Sequence, residues 1–122
     1  MSEKSFATSL SCIDGRVQIP MITLIKKKYS VDFVDTITAP GIDKVISDVD
    51  IESIKKSVMI SVSNHKSSHI VISGHFGCAG NPVTNDEHFT HIKKSVELVK
   101  SWNLDAEVVG VWIDENFTPQ LI

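Results

Sequence analysis

The sequence contains no run of about eighteen consecutive apolar residues, so no segment is long enough to cross a bilayer as a helix. Met1 to Ser11 carries one lysine and one glutamate and lacks the long apolar stretch of a signal peptide, which makes a soluble, cytoplasmic protein the expectation. There is no excess of basic residues either. The net charge of -3 and a pI near 5.9 give no general attraction for nucleic acid or an anionic membrane. No internal repeat or low-complexity tract is visible. Cysteine is scarce: two residues, Cys12 and Cys78, cannot form a disulfide framework. In a cytosolic chain they read as ligands, reactive thiols or core residues before they read as a disulfide.

What is present suits one core. A chain of 122 residues that is 42% hydrophobic can close one compact interior and is too short for two ordinary ones, so residues 1–122 are expected to form a single domain. Apolar runs alternate with helical periodicity, which predicts an α/β sheet, mostly parallel and covered by helices on both faces. Ser5 to Cys12 reads as the first strand. Pro20 is expected in the first turn of the following helix, where a missing amide proton costs nothing, with Met21, Leu24 and Ile25 as its buried stripe. Lys26, Lys27 and Lys28 favour the negative end of that helix and read as a solvated terminus. Val31 to Ile37 is the second strand, closed by the turn Ala39-Pro40-Gly41.

Between Asp50 and Asn64, Ile51, Ile54, Val58 and Val62 recur at three- and four-residue steps, as a crossover helix requires. His69 to Ser73 reads as a short central strand. Thr84 and Glu87 predict a capping box for a helix reaching Trp102, its face marked by Phe89, Ile92, Val96 and Val99. Glu107 to Ile113 is a fourth strand. Phe117 to Ile122 adds an antiparallel edge strand after the turn Asp114-Glu115-Asn116, giving four to five strands in the order 2-1-3-4 with that edge beyond.

The chemistry-bearing residues collect at strand ends. Cys12-Ile13-Asp14-Gly15-Arg16 leaves the first strand, and Gly74-His75-Phe76-Gly77-Cys78-Ala79-Gly80 leaves the third. In an open α/β sheet of this order both loops border the crevice where strand order reverses, the usual place for a ligand. Two thiolates and an imidazole suit zinc, and three protein ligands leave a fourth tetrahedral position for water or substrate. The His-x-x-Cys spacing is weak alone; with Cys-x-Asp-x-Arg at a second strand end it becomes specific.

CIDGR and GHFGCAG resemble the two zinc-binding motifs of the β-class carbonic anhydrases, Cys-x-Asp-Ser-Arg and Gly-His-x-x-Cys-Gly-Gly. The resemblance implies a β-carbonic-anhydrase-like fold, a Zn²⁺ cofactor held by Cys12, His75 and Cys78, and a homodimer or higher homo-oligomer. It also implies reversible hydration of carbon dioxide to bicarbonate by a zinc-bound hydroxide, with Asp14 orienting that group and Arg16 holding Asp14 off the metal. If the Asp14–Arg16 pair opens, Asp14 becomes the fourth ligand of a closed state. Gly15 stands where the family has serine, Phe76 replaces a small polar residue and Ala79 replaces the first glycine after the cysteine. Thr38-Ala39-Pro40-Gly41 matches the family's Arg-Asn-Ala-Gly segment poorly.

Other readings stay open at this point. The same centre could hydrolyse carbonyl sulfide or carbon disulfide. A site closed by Asp14 would make the chain a non-catalytic zinc-bound binding or regulatory module, and without metal Cys12 and Cys78 could cycle as a redox pair. Asp14 and Arg16 alone would read as a structural ion pair. The glycines at 74, 77 and 80 do not have the spacing of a phosphate-binding loop, and close backbone packing around a metal accounts for them. His88 and His91, like His65 and His69, read as solvated histidines, and Trp102 and Trp112 as core or subunit-interface anchors.

Overall fold

The computed structural model describes residues 4–48 and 51–122. Their strands form one five-stranded sheet in the order β2-β1-β3-β4-β5, built from β1 (Phe6–Ser11), β2 (Phe33–Thr38), β3 (His69–His75), β4 (Glu107–Ile113) and β5 (Pro119–Leu121). The first four are mutually parallel, and β5 runs antiparallel to β4. This is the expected order, with the expected edge strand.

Residue parity sorts the two faces. Ala7, Val71, Val111 and Ile113 point to one side and pack with Val17, Met21 and Ile25 of α1 (Gly15–Tyr29). Leu10, Ile70, Ile72 and Val108 point to the other, against α2 (Ile42–Asp48), α3 (Glu52–His65) and α4 (Asn85–Lys100). Right-handed crossovers require this split, because the chain steps one way from β1 to β2 and back the other way to β3 and β4. Each fully buried Leu or Ile of these clusters contributes about 1.5–3 kcal/mol.

Some boundaries differ from expectation. Helix α1 begins at Gly15, capped by the Asp14 side chain, so Pro20 lies inside the helix rather than in its first turn. An early cap outweighs proline's preference, at the cost of one backbone hydrogen bond. β2 starts at Phe33, while Val31 is buried just before it. α2 was not expected, since seven residues are too few to show a period. α3 starts at Glu52 with Ile51 at its N-cap; Asp50 and Met1 to Glu3, named above, lie outside the described residues. Thr84 caps α4 as predicted, its Oγ1 accepting from the Glu87 amide at 3.2 Å.

β3 continues two residues beyond Ser73, so that His75 closes the strand opposite Ile113. Ser11 pairs with Thr38 at the matching end of β1. The carboxyl ends of β1, β2 and β3 therefore lie along one edge, with Cys12, Gly41 and His75 at or just beyond them. No described helix is long and apolar enough to cross a membrane.

Candidate metal centre

Cys12 follows β1 directly and is buried, and the chain then turns into α1 within two residues. Gln18 holds that turn by donating from Nε2 to the carbonyls of Cys12 (2.7 Å) and Asp14 (3.2 Å). Asp14 accepts from the Arg16 amide at 2.9 Å, capping the helix. Its carboxylate also accepts the guanidinium fork, Nε to Oδ1 at 3.0 Å and Nη2 to Oδ2 at 2.7 Å. These side-chain and then backbone hydrogen bonds hold the Asp14 carboxyl at about 2, and Asp14 in turn raises Arg16 above its ordinary value.

His75 is buried at the end of β3. Its Nδ1 lies 2.9 Å from the Phe76 carbonyl oxygen, which can only accept, so Nδ1 carries the proton and Nε2 presents its lone pair. That buried Nε2 has no hydrogen-bond partner among the described residues. Gly77, at φ +69, then turns the chain so that Cys78 comes back toward Cys12. The two sulfurs, both free thiols, are 3.9 Å apart, and the ligand atoms of Cys12, His75 and Cys78 all lie within 4.8 Å of one another.

Two sulfurs each 2.3 Å from a tetrahedral ion are about 3.8 Å apart, which matches. An unpartnered buried imidazole nitrogen beside two thiols fits a thiophilic divalent cation far better than it fits a closed core, where such a nitrogen would cost about 1–3 kcal/mol. Asp14 stands just outside the three, its Oδ2 4.0 Å from His75 Nε2. A cavity of 220 Å³ lined by Cys12, Ile13, Asp14, Pro40, Ala79 and Gly80 opens beside the cluster. At about 30 Å³ per water it has room for a small molecule and several waters.

The loops after β2 and β3 meet backbone to backbone here. A Cβ on Gly41 would sit 2.6 Å from the Gly80 carbonyl, and one on Gly80 would sit 2.6 Å from the Gly41 nitrogen. Gly41 also needs φ +59, which glycine adopts at no steric cost. This crossing lets the Gly41 amide donate to Cys12 Sγ at 3.5 Å.

The structure thus brings together Cys12, Asp14, Arg16, His75 and Cys78, and adds Gly41, which the motifs did not mark. It corrects the reading of His88 as solvated: His88 is buried on α4, its Nδ1 2.6 Å from Oδ2 of the equally buried Asp43. His88 belongs to the buried stripe His88, Ile92, Ser95 and Val99, four- and three-residue steps that its polar members disguise. His91 is half-buried beside Asn81, and His69 is half-buried, stacked on Tyr29. His65 is exposed but paired with Asp35. Trp102 and Trp112 pack inside the chain, Trp102 against the core cluster and Trp112 against Phe89 and His88.

A family model described as "Putative carbonic anhydrase" matches residues 2–122. The chain belongs to this family. Among solved structures it is similar to isoform I of β-carbonic anhydrase from Trichomonas vaginalis, with a TM-score of 0.67 at 16% identity over 100% of this chain and 87% of that one. The carbonic anhydrase of Streptococcus mutans gives 0.65 at 15% identity, covering 94% and 80%. One of two tetrameric β-carbonic anhydrases from Sordaria macrospora gives 0.55 at 15%, covering 98% and 82%. At these identities the likeness establishes the carbonic anhydrase fold. No curated protein sequence matches the chain.

Proposed function

We propose that this chain holds one zinc ion through Cys12, His75 and Cys78 and catalyses the reversible hydration of carbon dioxide, CO₂ + H₂O giving HCO₃⁻ and H⁺. The observation that carries this reading is the buried Cys-His-Cys cluster, with its unpartnered imidazole nitrogen, beside a carboxylate locked by arginine. A zinc ion held by Cys12, His75 and Cys78 would supply a Lewis acid able to make water nucleophilic near neutral pH.

The chain's own residues do the rest. His75 offers Nε2 because Nδ1 is engaged by the Phe76 carbonyl. Asp14, with its carboxyl held at about 2, stays ionised at neutral pH and is too weak a base to remove a proton, so it accepts a hydrogen bond and orients the attacking water. Arg16 occupies both Asp14 oxygens, which would keep the carboxylate from turning onto the metal as a further ligand. Ile13, Pro40 and Ala79 give the cavity an apolar wall suited to a small, uncharged, linear molecule.

Two free cysteines fit a reducing, cytoplasmic setting, and the tetrameric relatives support a homodimer or higher homo-oligomer. The test is stopped-flow carbon dioxide hydration at neutral and alkaline pH, on protein of measured zinc content, with Cys78→Ala as control. Activity that scales with zinc and vanishes in the control is expected. Stoichiometric zinc without turnover at either pH would overturn carbon dioxide as the substrate and favour carbonyl sulfide, carbon disulfide or a non-catalytic role.

A further inference from the structure

A buried polar side chain close to the metal cluster and outside it is Asn81, three residues after Cys78, with no exposed surface. Its Nδ2 donates to Asp43 Oδ1 at 3.1 Å and lies 2.9 Å from His91 Nδ1, while its Oδ1 has no partner among the described residues. The side chain is thus held through Nδ2 alone. Asp43 is itself fixed by His88 Nδ1 at 2.6 Å, and its carbonyl accepts from Ser95 at 2.9 Å. The network fastens the loop after β3 to both α2 and α4.

The same loop sets the first cysteine. The backbone of Gly80, adjacent to Asn81, presses on Pro40 and Gly41, and the Asn81 Cβ lies 2.9 Å from where a Gly41 Cβ would stand. Gly41 in turn donates its amide to Cys12 Sγ. Displacing Asn81 would therefore move Cys78 along the chain and the Gly41 donor through space.

We propose that Asn81 is a positioning residue for the metal centre, its amide bridging Asp43 and His91 so that both thiol-bearing loops keep their ligating geometry. The inference rests on the reading of Cys12, His75 and Cys78 as metal ligands. Hydrogen-bonded groups behind a metal's ligands typically govern about 10–100-fold in its affinity. In Asn81→Asp an acceptor replaces the donor and faces Asp43. In Asp43→Asn with Asn81→Asp the pair is restored with donor and acceptor exchanged, while the side-chain oxygen kept at position 43 still accepts from His88.

The experiment measures zinc dissociation constants by competition with a metallochromic chelator, and the visible spectrum of the cobalt-loaded chain, on the 122-residue chain. Asn81→Asp is expected to weaken zinc about 10–100-fold and to alter the thiolate-to-cobalt band, and the double variant to recover both. His91→Leu, which removes only the second acceptor at a half-buried position, is expected to weaken zinc less. If Asn81→Asp does not fold, the double variant and His91→Leu decide.

Unchanged affinity and spectrum in folded Asn81→Asp would overturn the inference alone. So would a folded double variant that stays weak, or a His91→Leu chain that binds like wild type. If the wild-type chain takes up neither zinc nor cobalt, the metal reading fails and the inference falls with it.

Discussion

The two ends of the sheet use the same residue types to opposite ends. Toward the amino ends of the strands, polar groups satisfy one another. Asp35 accepts from Ser61 Oγ at 2.7 Å and pairs with His65 Nδ1 at 2.6 Å, while Ser61 Oγ also meets Thr8 and Ser67 at 2.6 and 2.7 Å. His69 stacks on Tyr29 and reaches Glu107 at 3.2 Å. At the carboxyl ends, His75 stands beside two thiols and its Nε2 has no hydrogen-bond partner among the described residues. A histidine is informative through what its second nitrogen meets: the first arrangement ties structure together, and the second leaves bonding capacity for a metal.

The largest expected break in this contrast is His75→Ala, which should abolish zinc retention and carbon dioxide hydration together, read by metal analysis and stopped-flow on the same sample. Arg16→Ala should come next. With zinc retained, kcat/KM should fall about 10–100-fold, because Asp14 loses the partner that orients it and holds it from the metal. Unchanged kcat/KM would reduce the pair to a helix-capping device.

Smaller effects belong to the other end. His65→Ala should leave zinc content and turnover intact and cost about 0.5–1.5 kcal/mol in urea unfolding, the worth of one hydrogen bond to Asp35. The smallest effect is acid sensitivity of the metal-free chain at the Asp14–Arg16 pair. Because Asp14 titrates lower folded than unfolded, its contribution is complete above the unfolded value of 3.8 and is lost as pH falls through about 2. The pair faces solvent, so added salt should shrink this contribution further.

Much of this contrast was legible in the residues themselves. The aliphatic runs at Ile70-Val71-Ile72 and Glu107 to Ile113 announced strands, and the order 2-1-3-4 put the two cysteine loops in one crevice. Thr84 marked the start of α4 because a cap is a local hydrogen bond. Pro20 misplaced the start of α1, since Asp14 serves both as the cap of that helix and as the partner of Arg16. His88 was misread because its buried stripe includes Ser95, so periodicity in apolar residues alone passed over both. Close backbone packing at Gly80 was legible, but Gly41 as its partner, Asp43 and Asn81 were not. They act only across contacts between segments far apart in the chain, and no spacing rule encodes those.

The central claim is that the carboxyl end of the sheet is a metal centre made by Cys12, His75 and Cys78, and thiol titration under non-denaturing conditions, with zinc release followed in parallel, tests it most directly. Both thiols should stay unreactive until a chelator is added, then react in step with the release of one zinc ion per chain. Two thiols that react at the same rate with and without chelator, with no zinc released, would contradict it.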